Sequence, residues 1–163
     1  MKQQNANKSL QTCSMQRYAI GALIGLLAAI SCACGSTPVL KTTTVKFRCD
    51  SQFNSGLRLP VDLVFIPEGE RVDTITKVAP DEWFDSDQRE QWQFKQSLSL
   101  VENGERNDVE IKLTKPARTI GLVIMADFLE IKEAKQQIII LDTGAKENED
   151  VFVTINGILH SAK

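Results

Sequence analysis

Histidine occurs once in these 163 residues, as His160, three residues from the end. Most hydrolytic triads use a histidine base, and this one lies where chains are commonly disordered, so no enzyme is expected. Cysteine is also scarce: Cys13, Cys32, Cys34 and Cys49. The Cys32/Cys34 pair has no second pair and only one histidine to complement it, so no metal site is read and no cofactor is implied. There is no Gly-rich phosphate loop. There is no basic stripe either, which excludes nucleic acid as an expected partner. The apolar run Ala19 to Ile30 holds only Ala, Ile, Leu and Gly. It falls short of the ~20 residues that a comfortable membrane-spanning helix needs.

Acidic residues are missing from the whole stretch before Cys34, where Lys2, Lys8 and Arg17 are basic. A positive start, a short apolar core and a small-residue exit are the layout of a secretory signal, assigned here to residues 1–33. Met15 begins a second complete signal and is an alternative start. The exit resembles a bacterial lipobox, in which a cysteine after small residues is acylated and becomes the first mature residue. Cys34 follows Ser31-Cys32-Ala33 and precedes Gly35-Ser36; Cys32 follows Ala29-Ile30-Ser31. Cys34 fits better and Cys32 is the alternative, although neither has the usual leucine three residues earlier. Two or more acyl chains, such as palmitate, give a stable anchor without a spanning helix. Neither cysteine is followed by the aspartate that commonly retains lipoproteins in the inner membrane. The resemblance therefore implies the outer membrane, on its periplasmic face.

All 21 acidic residues lie beyond residue 34, whereas three of the 19 basic ones precede it, so the mature chain would carry a net charge of −5. Residues 34–44 read as a flexible tether and residues 45–163 as one domain. Val45, Phe47 and Cys49 alternate with polar residues, the mark of a half-buried strand. Cys49 is then a core thiol, although a Cys34–Cys49 disulfide becomes conceivable if Cys32 is the acylated residue. "DSQFNSGLRL" is a loop rich in turn formers, and "PVDLVFI" opens on a proline at a strand start. "RVDTITKV" reads as a strand or an irregular crossing. "PDEWF" is the one helical insertion, with proline at a first helical position and acids beside the positive helix end.

Trp92, Phe94, Leu98 and Leu100 share one face of an extended segment, and Asn103-Gly104 reads as a hairpin turn. "VEIKL" follows with alternating residues, and "TIGLVIMADF" is apolar enough for a strand buried on both faces. "QQIIIL" and "VFVTINGILH" complete seven or eight strands, the latter with an Asn156-Gly157 turn or bulge. The class is all-β: a two-sheet β-sandwich with one short helical insertion.

The order of these pieces resembles the TssJ family, outer-membrane lipoproteins of the type VI secretion system. The likeness covers the lipobox, "LPVDLVFI", "PDEWF", "NG" before "VEIKL", "RTIGLVIMADF" and "VFVTING". The cysteine doublet and the short 50–59 loop depart from it. The resemblance implies a transthyretin-like sandwich without catalytic activity, which ties the periplasmic domain of the inner-membrane protein TssM to the outer membrane. It also implies that the loop between the first two strands is the main contact. Here that loop is Gln52, Phe53, Asn54, Ser55, Gly56, Leu57 and Arg58. Phe53 and Leu57 would be apolar contacts if exposed, and core residues if tucked into the sandwich end.

Two other classes stay open. One is a lipoprotein of a different envelope assembly. The other is a small-ligand or carbohydrate binder using Trp83, Phe84, Trp92 and Phe94, although packing of a helix onto a sheet explains these aromatics equally well. No small-molecule substrate is expected. Asp81, Glu82, Asp85, Asp87 and Glu90 lack the order of a calcium loop and read as a solvated helix edge.

Overall fold

A computed structural model describes residues 37–131 and 133–161. The signal segment and both candidate lipid cysteines lie outside the described residues. The chain runs β1 (Thr44–Cys49), β2 (Leu59–Pro67), three short helices α1 (Val72–Thr76), α2 (Pro80–Phe84) and α3 (Asp87–Gln91), then β3 (Lys95–Leu100), β4 (Asn107–Lys112) and β5 (Thr119–Ala126). A 3-10 turn (Ala134–Gln136) precedes β6 (Ile138–Leu141), β7 (Asn148–Thr154) and β8 (Gly157–His160). The strands form two four-stranded sheets, ordered β4-β1-β7-β8 and β3-β2-β5-β6. The expected two-sheet sandwich is what forms.

Alternation decides which faces meet. Val45, Phe47 and Cys49 of β1 point into the sandwich and meet Leu59, Val61, Leu63 and Phe65 of β2 in one continuous core. Each such fully buried side chain contributes about 1.5–3 kcal/mol of transfer free energy. Cys49 is a free, buried thiol, and burial pushes its pKa up to about 11, with smaller contributions from Asp108 and Asp50.

Strand β5 is buried on both faces. Leu122 and Ile124 face the inter-sheet core, while Val123 and Met125 face a second cluster beneath the helices. There they join Val64 and Ile66 of β2, Ile75 of α1 and Trp83 of α2.

The helical layer is larger than the single insertion read from the sequence. "RVDTITKV" contains α1, neither a strand nor a mere crossing: Val72 and Ile75, three apart, place one helical face on the β5 side of the sheet. Their β-branched character is overridden by that packing. Ser86 caps α3 by accepting from the N–H of Arg89 at 3.1 Å. The layer is fastened at Asp62, whose fully buried carboxylate accepts from Trp83 Nε1 at 3.0 Å and from Arg89 Nε at 2.7 Å. Burial alone pushes the Asp62 carboxyl upward, but the hydrogen bonds from Arg89, Ser97 and Trp83 outweigh it and hold it below the usual carboxylate range.

Asn103-Gly104 does not close a hairpin. β3 and β4 belong to different sheets, and residues 101–106 carry the chain across the sandwich end. Leu98 and Leu100 face the core from one sheet and Val109 and Ile111 from the other, so the two strands cannot lie in one plane. The pair still makes a local turn, with Asn103 Oδ1 accepting from Glu105 N and Gly104 at φ 80°. Asn156 does sit in a two-residue hairpin loop. Thr154 pairs with Gly157, so "VFVTINGILH" is two strands and not one.

The sandwich also begins earlier than Thr44. Leu40 and Thr42 are buried, and Leu40 N donates to Thr119 O at 2.7 Å. Lys115 Nζ donates to the carbonyls of Leu40 and Thr42 at 2.6 and 2.8 Å, and burial lowers its pKa.

Candidate partner-binding end of the sandwich

The strand registers place the loops at two ends. Cys49, Asn107 and Val153 lie side by side at one end of the first sheet, and Thr44, Lys112 and Asn148 at the other. Residues 50–58 and 101–106 join the Cys49 end to the Leu59 and Leu100 end of the second sheet. Residues 127–137 and 155–156 leave from the same end. The segment Leu40–Thr43 packs at the opposite one, against Thr119 and Glu147.

Within the β1–β2 loop, Leu57 N donates to Asn54 O at 2.9 Å, and Ser55 and Gly56 have φ of 53° and 77°. Two positive φ values in succession are the signature of a type I′ turn, which glycine adopts freely and serine only when held. Glu102 holds it. Its Oε2 accepts from the N–H groups of Phe53, Asn54 and Gly56 at 2.9, 3.2 and 3.3 Å. Backbone hydrogen bonds from Phe53 and Asn54, with a smaller one from Gly56, hold the Glu102 carboxyl below its ordinary range. Such a backbone concavity ordinarily binds an external anion; here the protein fills it itself.

Asn54 ties the loop to its neighbour. Its amide nitrogen donates to Arg58 O at 3.0 Å, and its Oδ1 accepts from Leu129 N at 3.1 Å. Ser55 Oγ donates to Glu130 Oε1 at 3.1 Å. Buried Gln137 organises the 127–137 loop, donating to Ile131 O and accepting from Phe128 N.

The predicted contact residues therefore divide. Phe53 is 3% exposed in the main core and Asn54 is buried as a loop fastener, whereas Leu57 is 52% exposed. Gln52, Ser55, Gly56 and Arg58 are exposed as well. Three apolar residues from other loops were missed by sequence reasoning: Val101, Leu129 and Ile155, the last 65% exposed. Nothing in local patterning marks them, because only the chain crossings bring their loops to the same end of the sandwich as Leu57. Between the loops lies a groove of about 410 Å³, lined among others by Phe53, Gly56, Glu102, Phe128, Glu130 and Ile155.

The other candidates lie elsewhere. Trp83 is buried, and Trp92 and Phe84 pack against the cluster beneath the helices, so these three fill the helix–sheet seam, whereas Phe94 is 39% exposed. His160 Nε2 pairs with Glu149 Oε2 at 2.8 Å between β7 and β8. Among the described residues no group of three His, Cys, Asp or Glu side chains is placed to hold a metal, and no helix is long and apolar enough to cross a membrane.

Comparison with protein-family models and with curated proteins finds no match. Solved structures do match. The type VI secretion lipoprotein TssJ1 from Pseudomonas aeruginosa aligns over 74% of this chain and 94% of its own, with a TM-score of 0.51 and 14% identity. The chain has the TssJ fold. Lip from Serratia marcescens, described as a membrane-bound component of the type VI secretion system, aligns over 74% of this chain and 96% of its own, with a TM-score of 0.52 and 8% identity. A chain of the structure described as the TssM C-terminal domain (869-1107) from EAEC aligns over 76% of this chain and 100% of its own, with a TM-score of 0.59 and 13% identity. At these identities the likeness to TssJ is one of fold, and what the chain does rests on its own residues.

Proposed function

We propose that this chain is an outer-membrane lipoprotein that tethers the trans-envelope membrane complex of a type VI secretion system. It binds the periplasmic domain of an inner-membrane TssM-like protein and has no catalytic role. Cys34, or Cys32 in the alternative register, carries the acyl chains. The observation that carries the reading is the polarity of the sandwich. The lipid-proximal segment enters at one end through Leu40–Thr43, and Leu57, Val101, Leu129 and Ile155 are exposed on the loops of the other. Five residues separate Cys34 from Leu40, a span of at most about 22 Å. The acylated end thus stays near the membrane while the loop end projects toward a partner. The exposed members of the β1–β2 loop, Gln52, Ser55, Gly56, Leu57 and Arg58, supply part of the contact; Phe53 and Asn54 act by holding the loop in shape.

The test is capture from detergent-solubilised native envelopes with a C-terminally tagged full-length protein. Recovery of a large inner-membrane TssM-like protein, lost in a Leu57→Ser/Arg58→Glu variant of unchanged thermal stability, is the expected result. Capture of an unrelated assembly, or of nothing, would overturn the secretion reading.

A further inference from the structure

The sequence holds two Asn-Gly pairs, Asn103-Gly104 and Asn156-Gly157, and the fold treats them oppositely. An asparagine followed by glycine is open to attack by the next peptide nitrogen on its own carboxamide, because glycine has no Cβ to obstruct the ring. At the first pair Asn103, Gly104 and Glu105 are all exposed, and Gly104 stands at φ 80°. Asn103 Oδ1 accepts from Glu105 N at 3.1 Å, a turn that curls the carboxamide over the intervening Gly104 nitrogen. Among the described residues no acceptor takes the Gly104 N–H. At the second pair Gly157 is buried and paired with Thr154 at the end of the β7–β8 hairpin, and a Cβ there would collide with Gln136 O. That packing leaves no room for a ring or a longer backbone.

We propose that Asn103 is a site of spontaneous deamidation whose product remodels the β1–β2 turn. The Gly104 nitrogen bonds to Asn103 Cγ and gives its proton to solvent, the Cγ–Nδ2 bond breaks, and ammonia leaves. Water then opens the cyclic imide at either carbonyl, giving aspartate or isoaspartate at position 103. Isoaspartate adds a methylene to the main chain directly beside Glu102. Glu102 Oε2 holds the N–H groups of Phe53, Asn54 and Gly56, so a displaced Glu102 releases the turn, whose serine at φ 53° needs that support. The turn lies at the end of the sandwich proposed above to meet a partner, so the modification alters that surface. The chemistry itself needs no partner, and its failure would leave the tethering function untouched.

The test ages the full-length protein in detergent micelles beside a urea-unfolded sample. Tryptic peptides 96–106 and 147–163 are then scored for deamidation and isoaspartate by mass spectrometry. In urea both asparagines should convert at similar rates. In the folded protein Asn103 should convert at least about tenfold faster than Asn156, since the hairpin must open before its glycine nitrogen can attack. Amide resonances of Phe53, Asn54 and Gly56 should shift as Asn103 converts, and stay in place in an Asn103→Gln variant aged alike. Equal folded-state rates at the two pairs overturn the site, as does an Asn103 that converts in urea but not in the folded protein. Conversion at Asn103 with all three resonances unmoved overturns the remodelling of the turn.

Discussion

Phe53 and Leu57 are four residues apart in one loop, and truncating each to alanine should give opposite results. Phe53 is 3% exposed and packs among the buried residues of the inter-sheet core. A buried phenylalanine cut to alanine costs about 3–5 kcal/mol, a large part of the ~5–15 kcal/mol that holds a domain together. A domain of this size loses roughly 4 °C per kcal/mol, so Phe53→Ala should melt roughly 12–20 °C below the parent. Leu57 is 52% exposed, and truncation there should stay within about 0.5 kcal/mol, or roughly 2 °C. Circular dichroism melting of the full-length protein in detergent reads both. Envelope capture then separates the roles. Leu57→Ala should weaken partner recovery at full stability, whereas Phe53→Ala should weaken it only as the loop loses its shape. Equal melting shifts, or a Phe53→Ala protein that melts with the parent, would refute the division into one core residue and one contact residue.

Three further outcomes follow from the geometry. The ionised Asp62 carboxylate is held below its ordinary pKa, so its stabilisation is complete above the unfolded value of about 3.9 and is lost as pH falls through the lower folded value. Urea denaturation from neutral pH to pH 3 should show that loss, with Asp62→Asn flattening it, and Arg89→Ala should cost about 3 kcal/mol at neutral pH by leaving the buried charge underpaired. An Asp62→Asn profile as steep as the parent's would count against it. Gly157 sits at φ 116°, and a Cβ there would lie 2.1 Å from Gln136 O, too close for the backbone to accept. Gly157→Ala should therefore cost at least about 3 kcal/mol in chemical denaturation, and a change under about 0.5 kcal/mol would show that the β7–β8 hairpin and the 3-10 turn are not so tightly apposed. Metabolic labelling with palmitate should survive Cys32→Ala and vanish in Cys34→Ala; the reverse pattern moves the acylation site to Cys32.

Much of this fold is legible because strand burial repeats every two residues. Val45-Phe47-Cys49 and Val109-Ile111 declare their inward faces from the sequence alone, and the near-continuous run at 119–126 declares a strand covered on both sides. Proline at 80 followed by two acids marks α2 in the same local way. The segment at 72–76 is different. Its β-branched residues favour a strand, and only the apolar sheet surface beneath it makes a helix the better solution.

The candidate site divides along the same line. Asn54, Ser55 and Gly56 mark a turn in any context, because short polar residues and glycine tolerate positive φ. That Glu102, forty-six residues beyond Gly56, supplies the acceptor for the turn could not be read locally, since the chain must first cross between the sheets. The sequence by itself determined the strand faces, the turns and the lipobox-like cysteines, all of which depend on neighbours a few residues away. The tertiary structure alone decided that Phe53 is core and Leu57 is surface, and that the loops carrying Val101, Leu129 and Ile155 close at the same end of the sandwich. Burial at a sandwich end depends on which distant loops close over it.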